Sequence, residues 1–356
     1  MTYARSLKLL LKRGALVAAA NWPVVLVQFV ADTVFNALLA VPIAGGVLLV
    51  MLLVGAEPAD LLRLEYRQVV PALIGALLAH PLALAAFLGA LGLVATGGSI
   101  LMFAVKAGSL TVLTAGELAA GHIEHPPLHL SALTRANAFA IDRFTSGLRR
   151  LFRRYLGLGA ILAAAYAIVV GAYGFVVFGP PLIEVIDGPI IVTLASIWVV
   201  ALITLINFLY LLTQIVVASD DCGVTDAMSK VARLLVRDGR TIVGVLGAIL
   251  VLMVLTTAAS VLATAALGLI AFVPFVGLAA LPLQVIAWLV RGVVFQYISL
   301  AGAAAYLRLH RQASLADVRA RVTDSVRRLD GGRGFEVLRS WGLAVLGSWG
   351  LEVLRS

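Results

Sequence analysis

The sequence predicts an all-α fold: a polytopic transmembrane helix bundle of about six spans, with two cytoplasmic interfacial amphipathic helices. Three observations predict it. Six long apolar blocks run near 14–56, 69–105, 155–183, 189–218, 241–273 and 275–307. Each can cross a hydrocarbon layer of about 30 Å, which takes about 20 helical residues. The chain is 62% hydrophobic and 13% charged, with a mean hydropathy of +1.06, a surface that water would not solvate. The loops between blocks also alternate in charge, as inside and outside loops do. Helices satisfy their own backbone hydrogen bonds and so persist in lipid. No run of about ten alternating residues suggests a barrel strand.

The N-terminus carries Arg5, Lys8, Lys12 and Arg13 and is expected to be cytoplasmic. No small-residue cleavage site follows a short apolar core, so the first block is expected to stay as a signal anchor. That block is long: as one helix it would reach about 65 Å. Either its first part lies along the interface or it forms a hairpin near Asp32. The second block has Gly97–Gly98 as a candidate break before a further helix at 99–120, and two hairpins would make eight spans. Basic segments at 106–154 and 230–240 belong inside. The connector GPPLIEVIDGP has Glu184 and Asp187 without Lys or Arg and belongs outside, as does the turn at Pro274. The tail from Arg308 returns inside, so six spans leave both termini cytoplasmic. The loop 57–68 must then be outside despite Arg63 and Arg67, which Glu57, Asp60 and Glu65 offset.

A formal net charge of +9 would suit nucleic acid if its arginines were not confined to loops on one side. Their placement follows the positive-inside pattern and predicts contact with anionic lipid headgroups, not nucleic acid. One cysteine, Cys222, excludes an internal disulfide and a cysteine metal cage. Arginine far outnumbers lysine, and alanine, glycine and leucine abound. That usage fits a GC-rich bacterial genome and hence the inner membrane.

Two basic segments are expected to be interfacial helices. In 139–155, Phe144, Leu148, Leu151, Phe152 and Tyr155 recur at helical spacing, with Arg149, Arg150, Arg153 and Arg154 on other faces. In 224–238 the stripe is Val224, Ala227, Met228, Val231, Leu234 and Leu235, with Arg233 and Arg237 outside it. Asp226 in the first turn and Gly239 after the last suit the helix dipole and a C-terminal stop. Such helices lie in the headgroup layer, which makes these six arginines the candidate lipid contacts. Each follows a long span and runs into another, so (block two, helix, block three) and (block four, helix, block five) look like two copies of one unit. Transporters place substrate sites at such repeat interfaces.

The stretch VASDDCGVTDAMSKVARLLVRDGRTIVGVLG (217–247) resembles an arrangement in six-span bacterial membrane proteins. These are the YciC-like proteins and the membrane domain attached to some glycerophosphodiester phosphodiesterases. In them a span ends in a small polar turn, then a basic amphipathic helix leads into a long span. The resemblance covers about 190–308 and implies an inner-membrane protein. The phosphodiesterase catalytic domain is absent from this sequence, so its chemistry does not carry over.

Polar residues in spans are costly and are functional candidates by default. Asn21, Gln28, Asp32 and Asn36 are spaced seven, four and four and share one helical face. Asp32 reads as a proton or cation site, or as part of a stripe bonding neighbouring helices. Asn207, Gln214, Gln284 and Arg291 complete the set, with Arg291 seven residues beyond Gln284 and Asp32 its candidate counter-ion. Lys106 and Glu117 read as interfacial snorkels. In GHIEHPPLH (121–129), His122, Glu124, His125 and His129 are ligands zinc accepts, although Pro126–Pro127 break any helical face and a solvated loop reads equally well. Gly89, Gly92 and Gly97 read as close helix contacts. No phosphate loop, nucleophile elbow or other cofactor motif is present.

Residues 1–308 are thus expected to form the transmembrane domain, 309–330 a cytoplasmic amphipathic helix, and 331–356 a poorly structured tail of octads (EVLRSWGL, AVLGSWGL, EVLRS). The leading functional expectation is a non-catalytic organising, anchoring or accessory subunit with a membrane-protein partner. A secondary transporter or permease with a polar site at a repeat interface is the alternative.

Overall fold

The computed structural model describes residues 2–54, 75, 78–125, 130–178, 188–271 and 276–330. Among them are eight helices and no strand. They are α1 (Thr2–Ala20), α2 (Trp22–Val54), α3 (Pro81–Ala119), α4 (Leu130–Ala136), α5 (Ile141–Phe178), α6 (Gly188–Asp220), α7 (Val224–Ala271) and α8 (Val276–Asp330). Six of them, α2, α3 and α5 to α8, contain segments long and apolar enough to cross a bilayer. The chain is a multi-pass integral membrane protein.

The first apolar block divides at Asn21, not at Asp32. Pro23 has no N–H to give and its ring crowds the carbonyl four residues back, which favours a break in a helix arriving from Thr2. As the second residue of the new helix, the same proline is well placed. The Asn21 side chain secures the break by donating to the carbonyl of Val17 at 2.9 Å. α1 buries Leu10, Arg13, Val17 and Ala18, a helical stripe. Asp32 then falls inside the uninterrupted α2.

The second block continues past its expected end at 105 and is unbroken at Gly97–Gly98. α3 begins at Pro81, directly after His80, and passes through Gly97–Gly98 to Ala119. It therefore carries Lys106 and Glu117 within the helix rather than in a following loop. Gly89, Gly92 and Gly97 have no neighbour where a side chain would begin, whereas Gly98 is pressed against the Phe35 ring of α2. Small residues do mark helix contacts, but at other positions. Both structural departures from the hairpin alternatives leave six candidate spans among the described residues.

Both basic amphipathic segments are helical, but neither stands alone. The first forms the opening turns of α5; the second is the part of α7 before Asp238, whose non-helical backbone (φ −118°, ψ 20°) kinks it against the span that follows. Part of each apolar stripe faces protein: Leu151, Tyr155 and Ala227 are fully buried, while Met228 is exposed. Between α6 and α7, Asp221 takes a left-handed conformation (φ 49°), a position Asp tolerates better than most side chains.

The chain divides into two compact units, Met1–Leu307 and Arg308–Ser356. In the first, consecutive spans pack as neighbours, α2 on α3, α3 on α5, α5 on α6 and α6 on α7, and α3 also meets α6. The α8 residues of this unit close the circuit. Gly292 faces Phe29 of α2 and Gly302 faces Ile249 of α7, while Tyr306 donates its hydroxyl to the carbonyl of Ile242 at 3.2 Å. The core gathers where α3 and α6 end and α5 and α7 begin, around Leu113, Leu151, Tyr155, Leu212, Ile215 and Ile242. Further along the spans, apolar side chains turn outward; Trp198 is 75% exposed, as a lipid-facing residue is. In the second unit, the expected 309–330 helix is the last stretch of α8. The octad tail, the loop 57–68, and the connectors around Glu184, Asp187 and Pro274 lie outside the described residues.

Candidate functional site

Two polar assemblies are built into the first unit. One lies where α1 meets the end of α3. Arg13 is 2% exposed, and its Nε donates to both Glu117 oxygens at 2.8 and 2.9 Å. Its Nη1 donates to Glu124 Oε2 at 2.5 Å and also to the carbonyl of Gly121. Lys12 adds a bond from Nζ to the Glu124 carbonyl at 2.9 Å. Buried charges persist when paired and hydrogen-bonded, and the arginine fork suits two carboxylates. α1 is seated further by Gly14, which lies against the carbonyl of Ala301, and by Tyr297, whose hydroxyl donates to the Ala15 carbonyl at 3.0 Å.

Asn21 belongs to the same end. Its Nδ2 also reaches the Ala136 carbonyl and its Oδ1 accepts from the Ala138 N–H, both at 2.9 Å. One amide thus ties the α1–α2 corner to the exit of α4. Gly116 makes room for it, since a Cβ there would crowd Asn21 Nδ2 and the Ala136 oxygen.

The second assembly lies deeper in the spans. Lys106 of α3 sets its ammonium 5.8 Å from the centre of the Tyr210 ring of α6, and Phe103 packs on the same ring at 6.2 Å. Asp32 of α2 acts electrostatically on Lys106 and accepts from Asn36 at 3.3 Å. One turn beyond Tyr210 stands Gln214, 1% exposed. Neither its amide atoms nor the Tyr210 hydroxyl has a hydrogen-bond partner, although the two groups are close enough to interact. Tyr155 of α5 closes this layer by donating to the Gln214 carbonyl at 2.9 Å. At 1.5 Å per residue, Lys106 is about 16 Å along α3 from Glu117 and Asp32 about 16 Å along α2 from Asn21. Lys106 and Asp32 thus lie at similar distances from that end of the bundle.

The structure sorts the sequence candidates. Gln28 is buried on the same α2 face as Asp32. Asn207 is exposed and accepts from Tyr166 at 2.6 Å, one span-to-span bond apart from the cluster. Arg291 lies 5.4 Å from the Phe295 ring on its own helix, and no ion pair joins it to Asp32 among the described residues. Gln284, on α8, is not brought into the cluster by any contact among those described. Lys106 and Glu117 are not snorkels, because both turn into the protein.

The described part of the histidine loop, which lacks His129, brings no metal-ligand set together. Among the described residues no three His, Cys, Asp or Glu side chains gather. Glu124 is committed to Arg13, and its Oε1 is 3.9 Å from His125 Nε2. The His122 and His125 rings lie 6.1 Å apart, and His129 lies outside the described residues. Of the six candidate headgroup arginines, Arg154 pairs with Asp221, Arg150 approaches it at 4.0 Å, and Arg237 meets Asp238 at 3.5 Å. Arg233 bonds the Ser229 carbonyl at 3.4 Å, and Arg149 and Arg153 are exposed.

Sequence reasoning missed Arg13 as a buried partner and Tyr210 altogether, and gave Lys106 and Tyr155 only interfacial roles. A signal existed: starting the helix at Pro81 puts Lys106 in an otherwise apolar run. No protein-family model, no curated protein and no solved structure matches the chain.

Proposed function

We propose that this membrane protein is a secondary transporter or permease for a small charged or polar solute, with its site at Lys106, Tyr210, Gln214 and Asp32. One observation carries the reading. A lysine, a carboxylate and an unpartnered glutamine amide lie inside the spans, where such groups are costly and serve pathways or sites. Lys106 falls in the first copy of the hydropathy repeat and Tyr210 and Gln214 in the second, and transporters bind substrates between such copies, which supports the reading. The test is uptake by proteoliposomes containing the full chain. Flux lost in Asp32→Asn and Lys106→Met at normal folded yield supports the reading; flux unchanged in both variants overturns it.

The organising or accessory subunit remains the second reading. It is favoured by the outward apolar flanks of the spans, where Trp198, Leu262 and Leu269 are all more than half exposed. A stoichiometric membrane-protein partner recovered with gently solubilised protein would move the assignment there.

The proposed setting is a bacterial inner membrane with both termini cytoplasmic and Arg149, Arg150, Arg153, Arg154, Arg233 and Arg237 toward anionic headgroups. The positive-inside pattern and the resemblance of 217–247 to six-span inner-membrane proteins support it. Reporter fusions at the two termini test the orientation.

A further inference from the structure

We propose that the opening turns of α5 hold the headgroup of a phospholipid bearing a primary ammonium, a phosphoethanolamine, with its ammonium against Asp142 and its phosphate against Arg149 and Arg150. The inference rests on the proposed setting, which turns these arginines toward headgroups, and adds which headgroup fits. A shallow groove is lined by Asp142, Thr145, Ser146, Arg149 and Arg150, residues whose spacing puts them on one helical face.

The groove separates acceptors from donors. At one end the Asp142 carboxylate is exposed and enters no ion pair among the described residues. Arg143 beside it is turned away, its Nη1 donating to the Ala138 carbonyl. The Thr145 and Ser146 hydroxyls give their protons to the carbonyls of Ile141 and Arg143, which leaves both oxygens as acceptors. Three side chains that accept thus suit a group with three N–H donors, which a primary ammonium is and a quaternary one is not. At the other end Arg149 is exposed and in no ion pair among the described residues, while Arg150 only approaches Asp221 at 4.0 Å. Guanidinium forks match phosphate oxygens, and Arg153, also exposed, adds donors one turn further in.

Depth sets the order of the two charges. α5 runs from Ile141 to Phe178 as one helix, from these charged turns into the apolar span, so Asp142 stands about 10 Å farther from the hydrocarbon than Arg149. In the lipid the phosphate joins the glycerol and the ammonium lies beyond it, the same sequence of charges. Below the arginines, Leu156, Ala160, Ala164 and Ala167 are exposed and carry the same face into the span, an apolar strip for an acyl chain. That continuity favours a lipid over a soluble phosphate ester. An anionic headgroup would answer the arginines but bring no cation to Asp142.

The experiment is native mass spectrometry of the full chain in detergent, offered phosphatidylethanolamine, phosphatidylcholine and phosphatidylglycerol of identical acyl chains in equal amounts. The expected result is retention of phosphatidylethanolamine over phosphatidylcholine by about threefold, the size of one exposed ion pair. Asp142→Asn should bring the two to parity, and Arg149→Gln should weaken retention of both. Equal retention of the two by the unaltered protein overturns the proposal, a comparison that needs no variant, and so does a preference that survives Asp142→Asn. Retention of phosphatidylglycerol alone overturns it while keeping the arginines as anionic headgroup contacts. Retention of none of the three removes both readings.

Discussion

The guanidinium Nε of Arg13 reaches both carboxylate oxygens of Glu117, at 2.8 and 2.9 Å, and the pair is almost completely buried. This clasp fastens the first helix to the end of the third. A loop residue, Glu124, completes it from the other side at 2.5 Å. The bundle end is thereby held by charge as well as by the apolar stripe of α1.

Arg13→Ala should be among the most damaging single changes in the chain. It leaves two carboxylates buried beside an empty position, and breaking a buried pair from one side typically costs about 3–5 kcal/mol. Arg13→Lys retains the charge but not the fork, and should fall between. Denaturant unfolding of the detergent-solubilised variants measures both; equal stability of wild type and Arg13→Ala would show the clasp to be energetically idle.

Asn21→Ala should cost about 1–3 kcal/mol, the penalty for stranding buried backbone groups. The variant strands the Ala138 N–H and the Ala136 carbonyl, which only the Asn21 amide is seen to reach across the corner. Amide hydrogen exchange at Ala138 reads the effect locally, and should accelerate.

Two glycine substitutions should differ in sign. A Cβ at Gly14 would overlap the Ala301 carbonyl oxygen, backbone that cannot step aside, while Gly89 has open space. Gly14→Ala is expected to lose about 1–3 kcal/mol by overpacking. Gly89→Ala should be neutral or gain up to about 1 kcal/mol from helix propensity. Comparing their thermal midpoints with wild type settles the contrast.

Cys222, in the turn between α6 and α7, has its thiol pKa pushed up by burial, with Asp220 and Asp226 adding to the rise and Lys230 opposing it. The thiolate is the nucleophile, so at neutral pH the residue should react with maleimide more slowly than an ordinary cysteine, and faster as pH rises, by about tenfold per unit below its pKa. Lys230→Met removes the opposing charge and should slow the reaction further. An impermeant maleimide added to intact cells should leave it unlabelled if this turn is cytoplasmic.

What the sequence determined by itself was the class of fold and the identity of the spans. Long apolar runs must become helices in lipid because nothing else there can satisfy a backbone, and that rule needs no partner. The corner at Pro23 was equally local, since proline acts on its own helix, although the block's length alone left open whether its first part lay along the interface or turned near Asp32. The tertiary structure decided which polar groups meet. Arg13 and Glu117 are 104 positions apart, and nothing in either neighbourhood says whether a charge faces water, lipid or a buried carboxylate. Lys106 met Tyr210 because α3 packs against α6. Helix order around a bundle is set by side-chain fit summed over whole interfaces, and hydropathy, which fixes only depth and length, carries no record of it.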